Sequence, residues 1–130
     1  MTLAGPAEQG AGAIDGQGNS ARFNAPDLLA VDGSGNVYVA DSGNHTIRKI
    51  TPLGVVTTLA GKAGSAGSAD GRGAAARFNA PSGVALDGAG NLYVSDYGDH
   101  TIRKITPQGD VTTFAGSAGV PAGATGCSTR

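Results

Sequence analysis

The chain has 130 residues, among them 23 glycines and six prolines, and nine basic residues nearly balance ten acidic ones for a net charge of −1. That balance gives no electrostatic footprint for nucleic acid or an anionic membrane surface, and no apolar run approaches the length that spans a bilayer. Cys127 is the single cysteine and has no internal disulfide partner, and the opening M-T-L-A-G-P lacks the basic region and apolar core of a signal peptide. The compartment stays open.

Residues 1–23 read as the end of a preceding repeat followed by a Gly-rich linker, because T-L-A-G at 2–5 returns at Thr58–Gly61 and, as T-F-A-G, at Thr113–Gly116. Residues 24–61 and 79–116 are two copies of one unit, offset by 55 positions. Between Ala21–Gly61 and Ala76–Gly116, 29 of 41 positions are identical. A period of this size marks a repeat architecture. Residues 62–78 form a second Gly/Ala-rich linker, and 117–130 look like the start of another. The register at both ends is that of a piece of a longer array.

Each repeat predicts four short strands, with no helical period anywhere. The first covers Leu28–Asp32 or Val84–Asp87, and the Asp-Gly-x-Gly-Asn stretch after it has hairpin chemistry. The second is Val37–Ala40 or Leu92–Ser95. A turn at Asp41–Asn44 or Asp96–Asp99 leads to the third, His45–Thr51 or His100–Thr106. Thr-Pro-x-Gly then turns the chain into the fourth, Val55–Leu59 or Asp110–Phe114. In the third strand Ile47 and Ile50 fall on opposite faces, so apolar groups occupy both sides of the sheet. Such a sheet must be covered twice. Identical sheets stacked around an axis do that, so the expected class is all-β, with two four-stranded antiparallel β-propeller blades.

The stretch F-N-A-P-S-G-V-A-L-D-G-A-G-N-L-Y-V-S-D-Y-G-D-H-T-I-R-K-I closely resembles an NHL repeat, and both copies carry its G-N-x-Y-V-x-D, H-T-I-R-K-I and F-x-x-P elements. The resemblance covers about residues 21–116. It implies one propeller blade per repeat, usually six blades to a ring, used mostly for binding. Repeat 1 departs from it with Leu28 where repeat 2 has Gly83, which raises the question of how the first strand enters. Two blades do not close a ring of six to eight. Either the array continues, or three or four copies assemble head to tail as a homo-oligomer.

The alternating strands put the Asp-Gly-x-Gly-Asn and Thr-Pro-x-Gly turns on one face of the ring. The Asp41–His45 and Asp96–His100 turns are expected on the other, together with the linkers 62–77 and 117–126. Ser42, Asn44, His45, Asp70, Arg72, Tyr97, Asp99 and His100 are therefore the candidate binding surface, since loops on a rigid scaffold usually carry binding. The two histidines recur at one blade position, which invites a metal or catalytic reading, but a part repeated in every blade more often builds the blade. Each imidazole is expected to bond its own turn through Asp41 or Asp96, and those aspartates to cap the turn's N–H groups. The stems of Arg48 and Arg103 are expected to pack between blades, with the guanidinium groups bonding carboxylates or carbonyls of neighbours, and Phe23 and Phe78 to anchor the linkers there. The Asp32–Asn36 loop lacks the bidentate Glu of a calcium loop, and the Gly-rich linker lacks the ending of a phosphate loop.

No catalytic residue, metal ligand or cofactor is assigned. The expected function is a non-catalytic binding or structural scaffold whose loop face meets a protein, peptide or glycan, with no role for nucleic acid or membrane insertion. The alternative is part of a lyase- or lactonase-like propeller enzyme with its functional groups in other blades. The innermost strands, Leu28-Leu29-Ala30-Val31 and Gly83-Val84-Ala85-Leu86, offer no ligand for such a centre.

Overall fold

A computed structural model describes residues 3–5 and 11–116. The linker-like tail at 117–130, with Cys127, lies outside them. Repeat 1 contains strands β1 (Gly16–Gln17), β2 (Pro26–Val31), β3 (Val37–Asp41), β4 (Thr46–Ile50) and β5 (Val55–Gly61). Repeat 2 contains β6 (Gly71–Arg72), β7 (Pro81–Leu86), β8 (Leu92–Asp96), β9 (Thr101–Ile105) and β10 (Asp110–Ala115). The two sheets run β1-β5-β4-β3-β2 and β6-β10-β9-β8-β7, antiparallel throughout. The chain is all-β and its two sheets stack as propeller blades.

The central four strands of each sheet are those the alternation predicts. Each sheet has five strands rather than four, because the Gly-rich linker adds one. Gly16 and Gln17 pair with Val56 and Val55, and Gly71 and Arg72 pair with Val111 and Asp110. A two-residue strand carries no alternation to read, so composition alone suggested a loop. The linker docks on the blade that follows it. It climbs the outer edge, turns at Gly73, whose N–H donates to the Gly109 carbonyl at 2.9 Å, and returns to the inner strand.

The Asp-Gly-x-Gly-Asn hairpin is built by its aspartate. Asp32 Oδ1 accepts from the N–H groups of Ser34 and Asn36, and Oδ2 accepts from Asn36 Nδ2 and the Tyr38 hydroxyl. Asp87 repeats the set with Ala89, Asn91 and Tyr93. These donors, Asn91 foremost, hold the Asp87 carboxyl down at about 2. Every carboxylate oxygen thus serves the turn itself. Gly35 and Gly90 sit at φ +88° and +89°, where a side chain would be strained.

The sheet of repeat 1 buries apolar side chains on both faces, and that of repeat 2 on the face toward repeat 1. Ile47, fully buried, joins Ala40, Ala60, Leu92, Val94, Ile105 and Val111 in the core between the blades. Ile50 points the other way, into a second cluster with Ala21, Val39 and Val56. Phe78 comes from the linker and is also fully buried between the blades, whereas Phe23 is only partly buried against the second cluster. Truncating Phe78 leaves a cavity in a two-sided core, so Phe78→Ala should cost about 3–5 kcal/mol in urea unfolding, and Phe23→Ala distinctly less.

Candidate binding face

The lower end of each blade is organised around a buried arginine. Arg48 is 1% exposed, and its NH1 donates to Asp41 Oδ2 and to the Arg22 carbonyl, both at 2.8 Å. Its NH2 donates to the Ile14 carbonyl at 3.0 Å and to Asp15 Oδ1 at 2.9 Å. The guanidinium carbon lies 4.8 Å above the Phe23 ring. Arg103 makes the matching bonds to Asp96, Arg77, Ala69 and Asp70, with Phe78 5.0 Å away. A planar fork with several fixed donors suits this site, and a lysine ammonium does not. The guanidinium groups bond carboxylates and carbonyls as expected, but these come from the arginine's own repeat and its linker and not from a neighbouring blade. Lys49 and Lys104 point to the other face and stay half-exposed.

Asp41 and Asp96 are completely buried. They do not cap their own turns, as the sequence suggested. Asp41 Oδ1 instead accepts the N–H of Asn24 at 2.8 Å, and Asp96 Oδ1 that of Asn79 at 2.8 Å, so each catches the linker as it arrives. Gly43 and Gly98 let it come close, since a Cβ there would lie 2.6 and 2.5 Å from Asn24 and Asn79.

His45 and His100 end their three-residue turns in the left-handed conformation, at φ 58° and 59°. The His45 backbone N–H donates to the Ser42 carbonyl at 3.2 Å, but its imidazole bonds neither the turn nor Asp41. Its Nδ1 accepts the N–H of Ala80 at 3.0 Å, across the boundary between blades. His100 occupies the same position on repeat 2 and is exposed.

The eight sequence-predicted site residues separate into three groups. Ser42, His45, Tyr97 and His100 share the lower end, with Tyr97 72% exposed and the other three half-buried or exposed. Asn44 and Asp99 are buried beneath them. Asp70 is engaged with Arg103 and with Thr113 Oγ1 at 3.0 Å. Arg72 lies at the opposite end, where its Nε meets the Gln108 carbonyl at 3.3 Å and Asp110 at 3.7 Å. Sequence reasoning placed the whole linker below, but it spans the blade from end to end.

Two features of this region escaped the sequence. Asp15 and Asp70, the latter expected on the binding surface, are the second carboxylates of the arginine sites; their recurrence at the repeat offset was the available signal. Leu28 does change how the first strand enters: β2 and β7 span equivalent residues, but Gly83 pairs with Ser95 whereas the irregular stretch in repeat 1 runs past Leu28 and regular pairing resumes at Leu29. Leu28 is accommodated because Ala40 stands where repeat 2 has Ser95, whose Oγ would lie 3.0 Å from a Cβ on Gly83. Leu28 and Gly83, with Ala85, Tyr93, Ser95 and Ile102, border an open depression of about 300 Å³. Among the described residues, no three His, Cys, Asp or Glu side chains converge as a metal site.

The NHL repeat family matches residues 23–50 and 78–105. The chain is 37% identical over 92 residues to the protein SUPPRESSOR OF QUENCHING 1, chloroplastic, of Arabidopsis thaliana, covering 70% of this chain and 9% of that one. A Bacteroides thetaiotaomicron protein assigned provisionally as a phosphatase superposes at TM-score 0.70 with 32% identity. An auxiliary nutrient binding protein of Bacteroides ovatus superposes at 0.66 with 31% identity. The chain is covered to 81% and 80% in these two superpositions, and spans 26% of each neighbour.

Removing the buried arginine leaves the equally buried Asp41 carboxylate uncompensated. Arg48→Ala should therefore destabilise the fold by about 3–5 kcal/mol in urea unfolding, whereas Lys49→Ala, on the half-exposed face, should stay within about 0.5 kcal/mol of the parent.

Proposed function

Because this chain belongs to the NHL repeat family, we propose that it is a binding scaffold whose ligand meets the lower face around Ser42, Tyr97 and His100. One observation carries the reading. The polar side chains common to both repeats are largely spent on building the blade: Asp32 and Asp87 in hairpins, Arg48 and Arg103 in linker sites, Asp41 and Asp96 in linker capture. What is left exposed at the lower end includes positions where the copies differ. Tyr97 stands where repeat 1 has Ser42, and it presents a stiff ring with a polar tip at low entropic cost. Hydroxyl and imidazole groups beside it suit a protein, peptide or glycan. The auxiliary nutrient binding neighbour is in keeping with this.

The outer side of blade 2 supports a further blade. Ile47 is fully buried against blade 2, but its counterpart Ile102 is 38% exposed and Phe114 is 61% exposed. An apolar patch of this kind needs a cover, either from a continuing array or from another copy in a ring. Residues 3–5 already sit on blade 1 much as residues 59–61 sit on blade 2, with Gly5 against Phe23 as Gly61 is against Phe78. A second copy would have to displace them. Light scattering on this chain should give a sharp trimer or tetramer for a ring of copies and a polydisperse mass for an interrupted array. A well-behaved monomer would contradict the need for a cover.

Binding is testable with soluble oligosaccharides and short peptides. Titration calorimetry is the readout, because two of the three tyrosines, Tyr38 and Tyr93, lie in the hairpins at the other end and tyrosine emission would not report the lower face alone. Tyr97→Ala should weaken any member of the panel that binds by at least about tenfold, while Arg72→Ala, at the other end, should not. Unchanged affinity in Tyr97→Ala, together with stoichiometric Ca²⁺ or Zn²⁺ in the purified protein, would favour the enzyme alternative.

A further inference from the structure

The two repeats differ at one buried polar position. In repeat 1, Asn44 Nδ2 donates to Asp41 Oδ2 at 2.7 Å and to the Gly12 carbonyl at 2.6 Å, pinning the turn to the start of the linker. Repeat 2 has Asp99 there, 8% exposed, beside the fully buried Asp96. A carboxylate has no hydrogen to donate, and Asp99 Oδ2 has no hydrogen-bond partner. The charge balance changes as well. Arg48 bonds two carboxylates, Asp15 and Asp41; Arg103 also bonds two, Asp70 and Asp96, and Asp99 adds a third against Asp96. The ion pair is 2.8 Å for Arg48–Asp41 and 3.1 Å for Arg103–Asp96.

We propose that Asp99 makes the lower lock of repeat 2 proton-dependent: the Asp96–Asp99 pair holds one proton while turn 97–100 and linker 67–79 are docked, and losing it loosens both. One proton restores the charge of the repeat 1 lock and supplies the missing donor, since two carboxyls in contact cannot both stay ionised in a buried site. The groups acting on Asp96 besides Asp99 are Arg103 from β9 and the Asn79 N–H; Asp70 of the linker bonds the other guanidinium nitrogen of Arg103, and the exposed His100 ends the turn. Burial, reinforced by the Asp99 charge and opposed by the Asn79 N–H and Arg103, pushes the Asp96 carboxyl up to about 7. The docked state therefore holds the proton more tightly than the unfolded chain, where an aspartate titrates near 3.8. The stabilisation is complete below about pH 4 and is lost as pH climbs through about 7. The Asp32 and Asp87 hairpins work in the opposite sense, with carboxyls held below their ordinary value, so they lose stability only in the acid range. The two windows do not overlap.

The test exchanges the two residues. Between pH 5 and 8 the thermal midpoint of the parent should fall by at least about 4 °C relative to Asp99→Asn, which rebuilds the amide lock. Asn44→Asp should gain the same dependence in repeat 1. Because His100 adjoins Asp99, the same comparison in a His100→Asn background separates the histidine contribution, and the difference between parent and Asp99→Asn should persist there. Hydrogen exchange supplies a site-specific readout: the Asn79 amide, caught by Asp96, should lose protection relative to the Asn24 amide at pH 8 and regain it in Asp99→Asn. Parallel midpoints for the parent and Asp99→Asn, with equal protection of the two amides at pH 8, would overturn the proposal. These readouts involve no ligand and stand apart from the binding assignment.

Discussion

A guanidinium group taken wholly out of water, with four acceptors around it, holds each repeat together. Arg48 and Arg103 are each fully buried and bond two carboxylates and two linker carbonyls. A buried charge network adds little net stability over a well-packed apolar one, yet removing one partner is costly. Its effect here is to fix the path of the chain. A Gly- and Ala-rich segment has little apolar surface to hold it in place, so polar bonds determine where it docks. The phenylalanine under each guanidinium adds the apolar half of that anchor. The structural repeat is thus linker plus blade, with the linker completing the sheet it precedes.

The contacts between the blades follow from the same units. Phe78 and Ile47 meet the apolar face of blade 2, and His45 reaches over to take the Ala80 N–H. Both ends of that last bond hold uncommon backbone, the histidine at φ 58° and the alanine at φ 53°. Repetition of such conformations in both copies argues that they are fixed by the scaffold, since strained residues persist only where the surroundings over-determine them. A scaffold that uses its shared polar groups internally leaves recognition to positions free to vary.

Most of the architecture was legible in residues. Ile47 and Ile50 on opposite faces implied two covered sides, and the Asp-Gly-x-Gly-Asn stretch implied its hairpin. The two-residue strands β1 and β6 were not legible, because so short a pairing leaves no period. The partners of Arg48 were hidden for another reason: Asp15 lies 33 positions away, and no local spacing connects them. His45 likewise bonds a residue 35 positions on, in the next blade. Of the candidate face, exposure of Tyr97 and His100 could be read from their turn, but burial of Asn44 and Asp99 could not. Their side chains turn inward to meet the linker, whose docking was itself unseen.

The Gly-rich linker belongs to the blade. Native-state hydrogen exchange measures this directly at the amides of Gly67, Gly73 and Arg77, which donate to Phe78, Gly109 and Ala69. At a pH where the lock of repeat 2 is protonated, these amides should open together with β8 and β9, in one cooperative step. Exchange of the linker amides at the rate of a free chain, while β8 and β9 remain protected, would contradict it.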